Sequence, residues 1–242
     1  MSIRDNIEET LIRIAMTGIV PGRWIASPPD PARLAARTGV LTIEVVSHCW
    51  QYAHLLAYQL SSLVNFPPTR AHVRMTVFHA VEDARVRDLL AFFGAIEVPG
   101  VTWNWQALTP GELFRRSIGR NRAARRTPAD WVWFADCDIL FHRDCMDTLA
   151  DRLQGRQDPL TYPKEERVTA MLEETDPLLL AERDRPKVVD IDPGQFKLLP
   201  NPPKAKGAYQ IVHGDVARQR GYCEQLPVFQ RQAERWAKTY ED

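Results

Sequence analysis

Trp131-Val132-Trp133-Phe134-Ala135-Asp136-Cys137-Asp138 is the stretch on which the fold of this chain turns. Five apolar residues, four of them aromatic or β-branched, are too short a run for a helix and have the composition of a strand buried on both faces. The strand predicted over 131–135 gives way at once to Asp136 and Asp138, two carboxylates one residue apart.

Working upstream, residues 111–126 form an Arg-studded helical pattern that delivers the chain to this strand, and residues 101–107 are a Trp-rich connection. Before them come a helix over 82–93, a strand over 71–78, and a helix over 50–64 with Tyr52, Leu55, Leu56, Gln59, Leu60 and Leu63 at helical spacing. The first core strand is Val40-Leu41-Thr42-Ile43-Glu44-Val45-Val46, rich in β-branched residues. This βαβ series predicts an α/β domain with a largely parallel sheet and right-handed crossovers. Ligands then bind outside the carboxyl ends of the strands, where Asp136 and Asp138 lie. Downstream the pattern is irregular. A short helix is predicted over 144–153, proline recurs at 159, 163, 177, 186, 193, 200, 202 and 203, and a strand is predicted over 208–212.

Residues 1–39 read as a helical appendage, broken off at Ser27-Pro28-Pro29-Asp30-Pro31, in front of a single domain over 40–242. The 242 residues carry 31 Lys and Arg against 31 Asp and Glu, so no overall field favours nucleic acid or an anionic membrane. Cys49, Cys137, Cys145 and Cys223 are too scattered for a disulfide scaffold. The N-terminus has no apolar signal segment and no stretch is long enough to span a bilayer, so the expectation is a cytoplasmic protein. The last residues, Trp236 to Asp242, continue a helix-like pattern without a stop signal, which predicts a natural chain running past Asp242.

A divalent ion such as Mn²⁺ or Mg²⁺ prefers hard oxygen ligands and readily bridges carboxylates to phosphate oxygens. Two carboxylates just past a buried strand can face a cleft while the strand fixes their backbone. Spacing by itself is a weak signal, because Asp190-Ile191-Asp192 repeats it in a proline-flanked loop with no strand to carry it. In the bland alternative, Asp136 caps the following turn and Asp138 pairs with an arginine. A dehalogenase-type phosphatase would instead use Asp136 as nucleophile, although that motif normally sits on the first strand.

The block from Gly119 through Arg120-Asn121 to Asp136-Cys137-Asp138 resembles the centre of family 2 glycosyltransferases and their galactosyltransferase-like relatives, in which an A-R-N-x-G/A helix leads into a strand ending in D-x-D. The resemblance implies the GT-A fold, a Rossmann-like mixed and mainly parallel sheet flanked by helices. Residues 40–138 would be its nucleotide-sugar half and 139–242 its acceptor half. It implies metal-dependent, inverting transfer of a sugar from a nucleotide donor, a UDP-sugar first, to a hydroxyl of a saccharide or other acceptor. Ser47 and His48 would then stand beside the base or ribose, Asp83 would read the uracil or ribose, and Arg120 and Asn121 would lie near the phosphates. Asp136 would bind ribose or metal, Asp138 the metal, and His213 would add a nitrogen ligand. Glu241 and Asp242 would deprotonate the acceptor, with Glu224 as the internal substitute. Trp103 and Trp105 would suit stacking on a sugar ring. A module that binds the donor without transferring it is the non-catalytic alternative.

Overall fold

Alternating apolar residues make Leu41–Cys49 (β1) and Ala71–Ala80 (β2) long strands, joined by the helix Ala53–Asn65 (α1). The computed structural model describes residues 29–182, 184–200 and 206–234, together with Ile7, Thr10, Leu11, Ile12, Ile14 and Ser27. After β2 come the helix Ala84–Gly94 (α2), the strand Val101–Leu108 (β3), the short helix Pro110–Leu113 (α3), the helix Arg116–Arg126 (α4) and the strand Trp131–Phe134 (β4). Then follow Cys145–Leu153 (α5), the strands Leu160–Thr161 (β5) and Glu165–Val168 (β6), the helix Pro177–Leu180 (α6), the strands Lys197–Pro200 (β7) and Gln210–His213 (β8), and the helix Gly214–Arg220 (α7).

The described strands form a six-stranded sheet in the order β3-β2-β1-β4-β8-β5 and a separate ribbon of β6 and β7. The first four run parallel, while β8 lies antiparallel to both β4 and β5. The expected mixed, mainly parallel sheet flanked by helices is therefore what forms, within one domain. Ile43, Val45, Met75, Val77 and Trp131 face α1 and α2, packing with Leu56, Leu60 and Phe93. Val46, Phe78, Val132 and Phe134 face the other way, against Ala123 and Ala124 of α4 and Ala217 of α7.

The structure amends the sequence reading in three places. The Trp-rich segment is an edge strand, β3, because Val101, Trp103 and Trp105 alternate with Thr102, Asn104 and Gln106. The helix expected over 111–126 is broken after Leu113, where a Thr109–Glu112 capping box starts a single turn that ends before Arg116. The irregular downstream region contains β5, β6 and β7. Of the N-terminal appendage, the described residues just before β1 are fastened to the domain: Leu34 is buried, Gln157 Nε2 donates to Leu34 O at 2.6 Å, and Ala35 N donates to Asp215 Oδ2 at 3.1 Å. No helix among the described residues is long and apolar enough to cross a membrane.

Candidate active site

The chain leaves β1 in one direction to build β2 and β3, then returns to lay β4 on the other side of β1. Loops from β1 and β4 therefore diverge and leave a crevice at the carboxyl ends of these two strands. The β1–β4 register, Val46 beside Phe134, brings the ends of both strands together there. Asp136 and Asp138 follow the end of β4, beside the end of β1.

Asp136 is held by arginines from α4. Its Oδ1 accepts from Arg116 Nη1 at 2.8 Å and from Arg120 Nη2 at 3.3 Å. The two arginines are one helical turn apart and so share a face of α4. Arg120 is fully buried; it also donates to Tyr222 Oη at 2.9 Å, and its guanidinium lies 5.9 Å from the Phe134 ring centre and 5.3 Å from that of Tyr222. Gly119 lets α4 come this close, since a Cβ there would sit 2.1 Å from His48 Nε2.

Backbone placement of the pair comes from the opposite face. Gln59 of α1 is buried, and its Nε2 donates to Asp136 O at 2.9 Å and to Ile139 O at 2.8 Å. Ser47 Oγ donates to Gln59 Oε1 at 2.8 Å, which fixes the amide's orientation. Asp138 stays exposed at the mouth of a cleft. Its carboxyl is pushed above the usual range by the cleft's desolvation and then by Asp136, against the pull of its own N–H and Arg116. Tyr209 is raised too, through burial, Glu166, and the charges of Asp138 and Asp136. Glu166 in turn pairs with Lys206.

Several expected site residues have other duties. Ser47 is fully buried, because odd-numbered β1 residues face the core under α1, and it reaches the crevice only through Gln59. His48 faces α4, stacked on Phe78 with ring centres 4.9 Å apart, and neither ring nitrogen has a hydrogen-bond partner among the described residues. Burial first, then Arg120 and Arg116, hold its pKa well below the histidine value, so it is neutral. Asp83 uses Oδ1 to cap α2, accepting from Val86 N at 3.2 Å, and Oδ2 to accept from Gln51 N at 2.5 Å. Gln51 needs that anchor, since its φ of 62° is left-handed. Asn121 organises the 221–230 segment, accepting from Tyr222 N at 2.9 Å and donating to Gln230 Oε1 at 3.3 Å.

Two further expected residues are engaged elsewhere in the structure. His213 pairs with Trp131 at the start of β4, the opposite end of that strand from Asp136 and Asp138, because β8 runs antiparallel. It is fully buried, its Nε2 is 3.1 Å from Ala35 O, and its Nδ1 accepts from Asp215 N at 3.2 Å as the cap of α7. Glu224 forms an ion pair with Arg125 Nε at 3.6 Å. Trp103 and Trp105 stack on each other, 5.5 Å between centres, against the α2 side of the sheet rather than in the crevice. Glu241 and Asp242 lie outside the described residues.

Sequence reading missed Arg116, Gln59, Tyr222 and Tyr209. Arg116 left one signal, its i, i+4 relation to Arg120. A cavity of about 640 Å³ opens beside Asp138. α1 and its C-cap contribute Tyr58 and Phe66 to its lining, the β6–β7 ribbon Glu166 and Leu198, and the sheet side Trp133 and Tyr209. Asp190 lines it as well, with Oδ1 accepting from Ile191 N at 2.8 Å, while Asp192 accepts from Gly194 N at 2.9 Å to cap a turn. The second carboxylate pair is thus engaged in local backbone turns.

No family model matches the sequence, and no curated protein matches it. Among solved structures, the chain is similar to S. aureus TarS residues 1–349 in complex with UDP-GlcNAc, at 14% identity and a TM-score of 0.44 over 55% of this chain and 37% of that one. It is also similar to the mannosyltransferase PcManGT from Pyrobaculum calidifontis in complex with GDP-Man and Mn²⁺, at 16% identity and a TM-score of 0.42 over 90% of this chain and 56% of that one. The chain thus spans between about a fifth and just over half of the length of the solved structures it resembles.

Proposed function

We propose that this chain is a glycosyltransferase domain that binds a nucleotide-sugar, a UDP-sugar first among them, in the crevice between β1 and β4 and transfers the sugar to an acceptor hydroxyl with inversion. The observation that carries the reading is the Asp136–Asp138 pair at the topological switch point, clamped from α4 and pinned from α1.

Among the described residues no group of three or more His, Cys, Asp and Glu side chains is placed to hold a metal ion. The donor set fits an ion shared with a ligand: Mn²⁺ or Mg²⁺ commonly takes one or two carboxylates and completes its shell with phosphate oxygens and water. Asp138 would hold it directly, and Asp136 through Oδ2, since both arginines engage Oδ1. When bound, the ion supplies Lewis-acid stabilisation of the departing diphosphate.

The chain's own residues do the rest. Arg116, partly exposed beside Asp136, is placed to reach a diphosphate at the crevice, whereas buried Arg120 orients Asp136 and does not touch the donor. Gln59 holds the loop so that both carboxylates meet the ion without rearrangement, which preserves the advantage of a preorganised site. His48 stays neutral under α4 and adds no charge against the ion. The acceptor base is assigned to Glu241 and Asp242, since Glu224 is engaged with Arg125. Such assistance is typically worth on the order of 10²–10⁴ in rate.

Calorimetric titration with UDP-, GDP- and dTDP-sugars, with Mn²⁺ and then with EDTA, tests the reading. Binding should require the ion and should vanish in Asp138→Ala while persisting in Asp190→Ala. Ion-independent binding, or equal affinity in Asp138→Ala, would remove the metal-assisted reading.

A further inference from the structure

The cavity beside Asp138 has two unlike ends. Along α1 its polar groups are already engaged within the protein. Tyr58 Oη donates to Leu178 O at 2.9 Å, Asn65 Nδ2 donates to Val189 O at 3.0 Å, and Ser62 Oγ accepts from Phe141 N at 3.0 Å. A ligand lying there meets mostly carbon, from Phe66, Phe196 and Leu198, with the exposed side chains of His142 and Asp190 at its border. At the other end stands the exposed carboxylate of Asp138, with Tyr209 beside it.

Charge restricts the ligand further. The lining carries the carboxylates of Asp138, Glu165, Glu166 and Asp190 against the guanidinium of Arg167 and the imidazole of His142. Even with Glu166 paired to Lys206 and an ion on Asp138, nothing among the described lining residues forms a cradle for a phosphate. A phosphorylated acceptor would meet carboxylates where it needs cations. The volume, about 640 Å³, lies within the roughly 300–1,000 Å³ of sites that enclose a small organic ligand.

We infer that this cavity binds the acceptor, and that the acceptor is an uncharged hydroxyl compound with an apolar body, of the alkyl-glycoside class. Its hydroxyl lies at the Asp138 end and its apolar body runs over Phe66 and Leu198. Calling the ligand an acceptor rests on the sugar-transfer reading; what the cavity binds rests on its lining alone.

The test is calorimetry on the whole chain without donor or metal, using octyl β-glucoside below its micelle concentration, octyl phosphate and glucose. One equivalent of octyl glucoside should bind, and the other two should bind roughly tenfold or more weakly. Leu198→Glu, at a position half exposed and so tolerant of substitution, should weaken octyl glucoside by a similar factor with an unchanged melting temperature, and so should Phe66→Ala. Absence of octyl glucoside binding, equal binding of octyl phosphate, or full affinity in both variants overturns the inference. A parallel titration with UDP-sugar and Mn²⁺ separates the two ideas. Failure there with cavity binding intact counts against sugar transfer and leaves the cavity's ligand class standing.

Discussion

Asp138 is a side chain that the fold holds against its own preference. Its carboxyl is raised by desolvation and by Asp136, so the folded protein binds that proton more tightly than the unfolded chain does. The sign follows from linkage. A raised carboxyl pKa favours the fold below the ordinary value near 3.9, and that contribution is lost as pH rises through the shifted value. At neutral pH the charge is a penalty. Asp138→Asn should therefore melt higher than the parent at pH 7, with the difference closing toward pH 3, while ion-dependent nucleotide binding is lost. Melting curves across that range check it, and a variant less stable at pH 7 would contradict the account. The same scale shows what was legible in sequence. Asp136 and Asp138 could be placed because a strand end is visible from its own residues. Ser47 could not, because one step along β1 exchanges the α1 face for the α4 face, and only the packed helices show which residue belongs to which.

At the scale of elements, α1 and α4 hold the crevice from opposite faces of the sheet, and each does so through one residue that no donor need touch. Replacing Gln59 by Leu would leave the Ile139 carbonyl without its side-chain donor, the Asp136 carbonyl with only the Ile139 N–H at 3.2 Å, and Ser47 without its acceptor. Each buried group so stranded costs about 1–3 kcal/mol. Gln59→Leu should lower stability and also weaken nucleotide-sugar affinity, and an affinity unchanged from the parent would mean that the loop holds its shape by other means. Gly119 answers for the other face. Gly119→Ala drives a methyl into His48, and overpacking of this kind typically costs about 1–3 kcal/mol. Pairing it with His48→Ala should recover a good part of the loss, measured as a coupling energy in a double-mutant cycle of denaturant melts. Additive losses would show that the contact is not the cause. The parallel strands β1, β2 and β4 were readable from their β-branched and aromatic runs. The break between α3 and α4 was not, because Leu113-Phe114-Arg115-Arg116 contains no Gly or Pro to mark it.

Across the whole molecule, the direction of β8 decided what the sequence could and could not say. Residues 210–213 have an evident strand composition, but nothing local tells an antiparallel partner from a parallel one, and that choice sends His213 to the far end of β4. The same strand has a consequence for the making of the protein. β4 is buried along its whole length and flanked by β1 on one side, yet its other neighbour is β8, synthesised about eighty residues later, a delay on the order of 4–15 s at roughly 5–20 residues per second. During that interval an uncharged row of Trp131, Val132, Trp133 and Phe134 offers an open hydrogen-bonding edge, the template on which foreign strands add. Chains stopped after residue 200 should therefore sediment as aggregates or be captured by chaperones, whereas the released 242-residue chain should stay in solution, as centrifugation of translation products would show. On that reckoning β8 serves as a guard strand during biogenesis, and substitutions in it would surface first as poor yield, before any loss of activity could be measured.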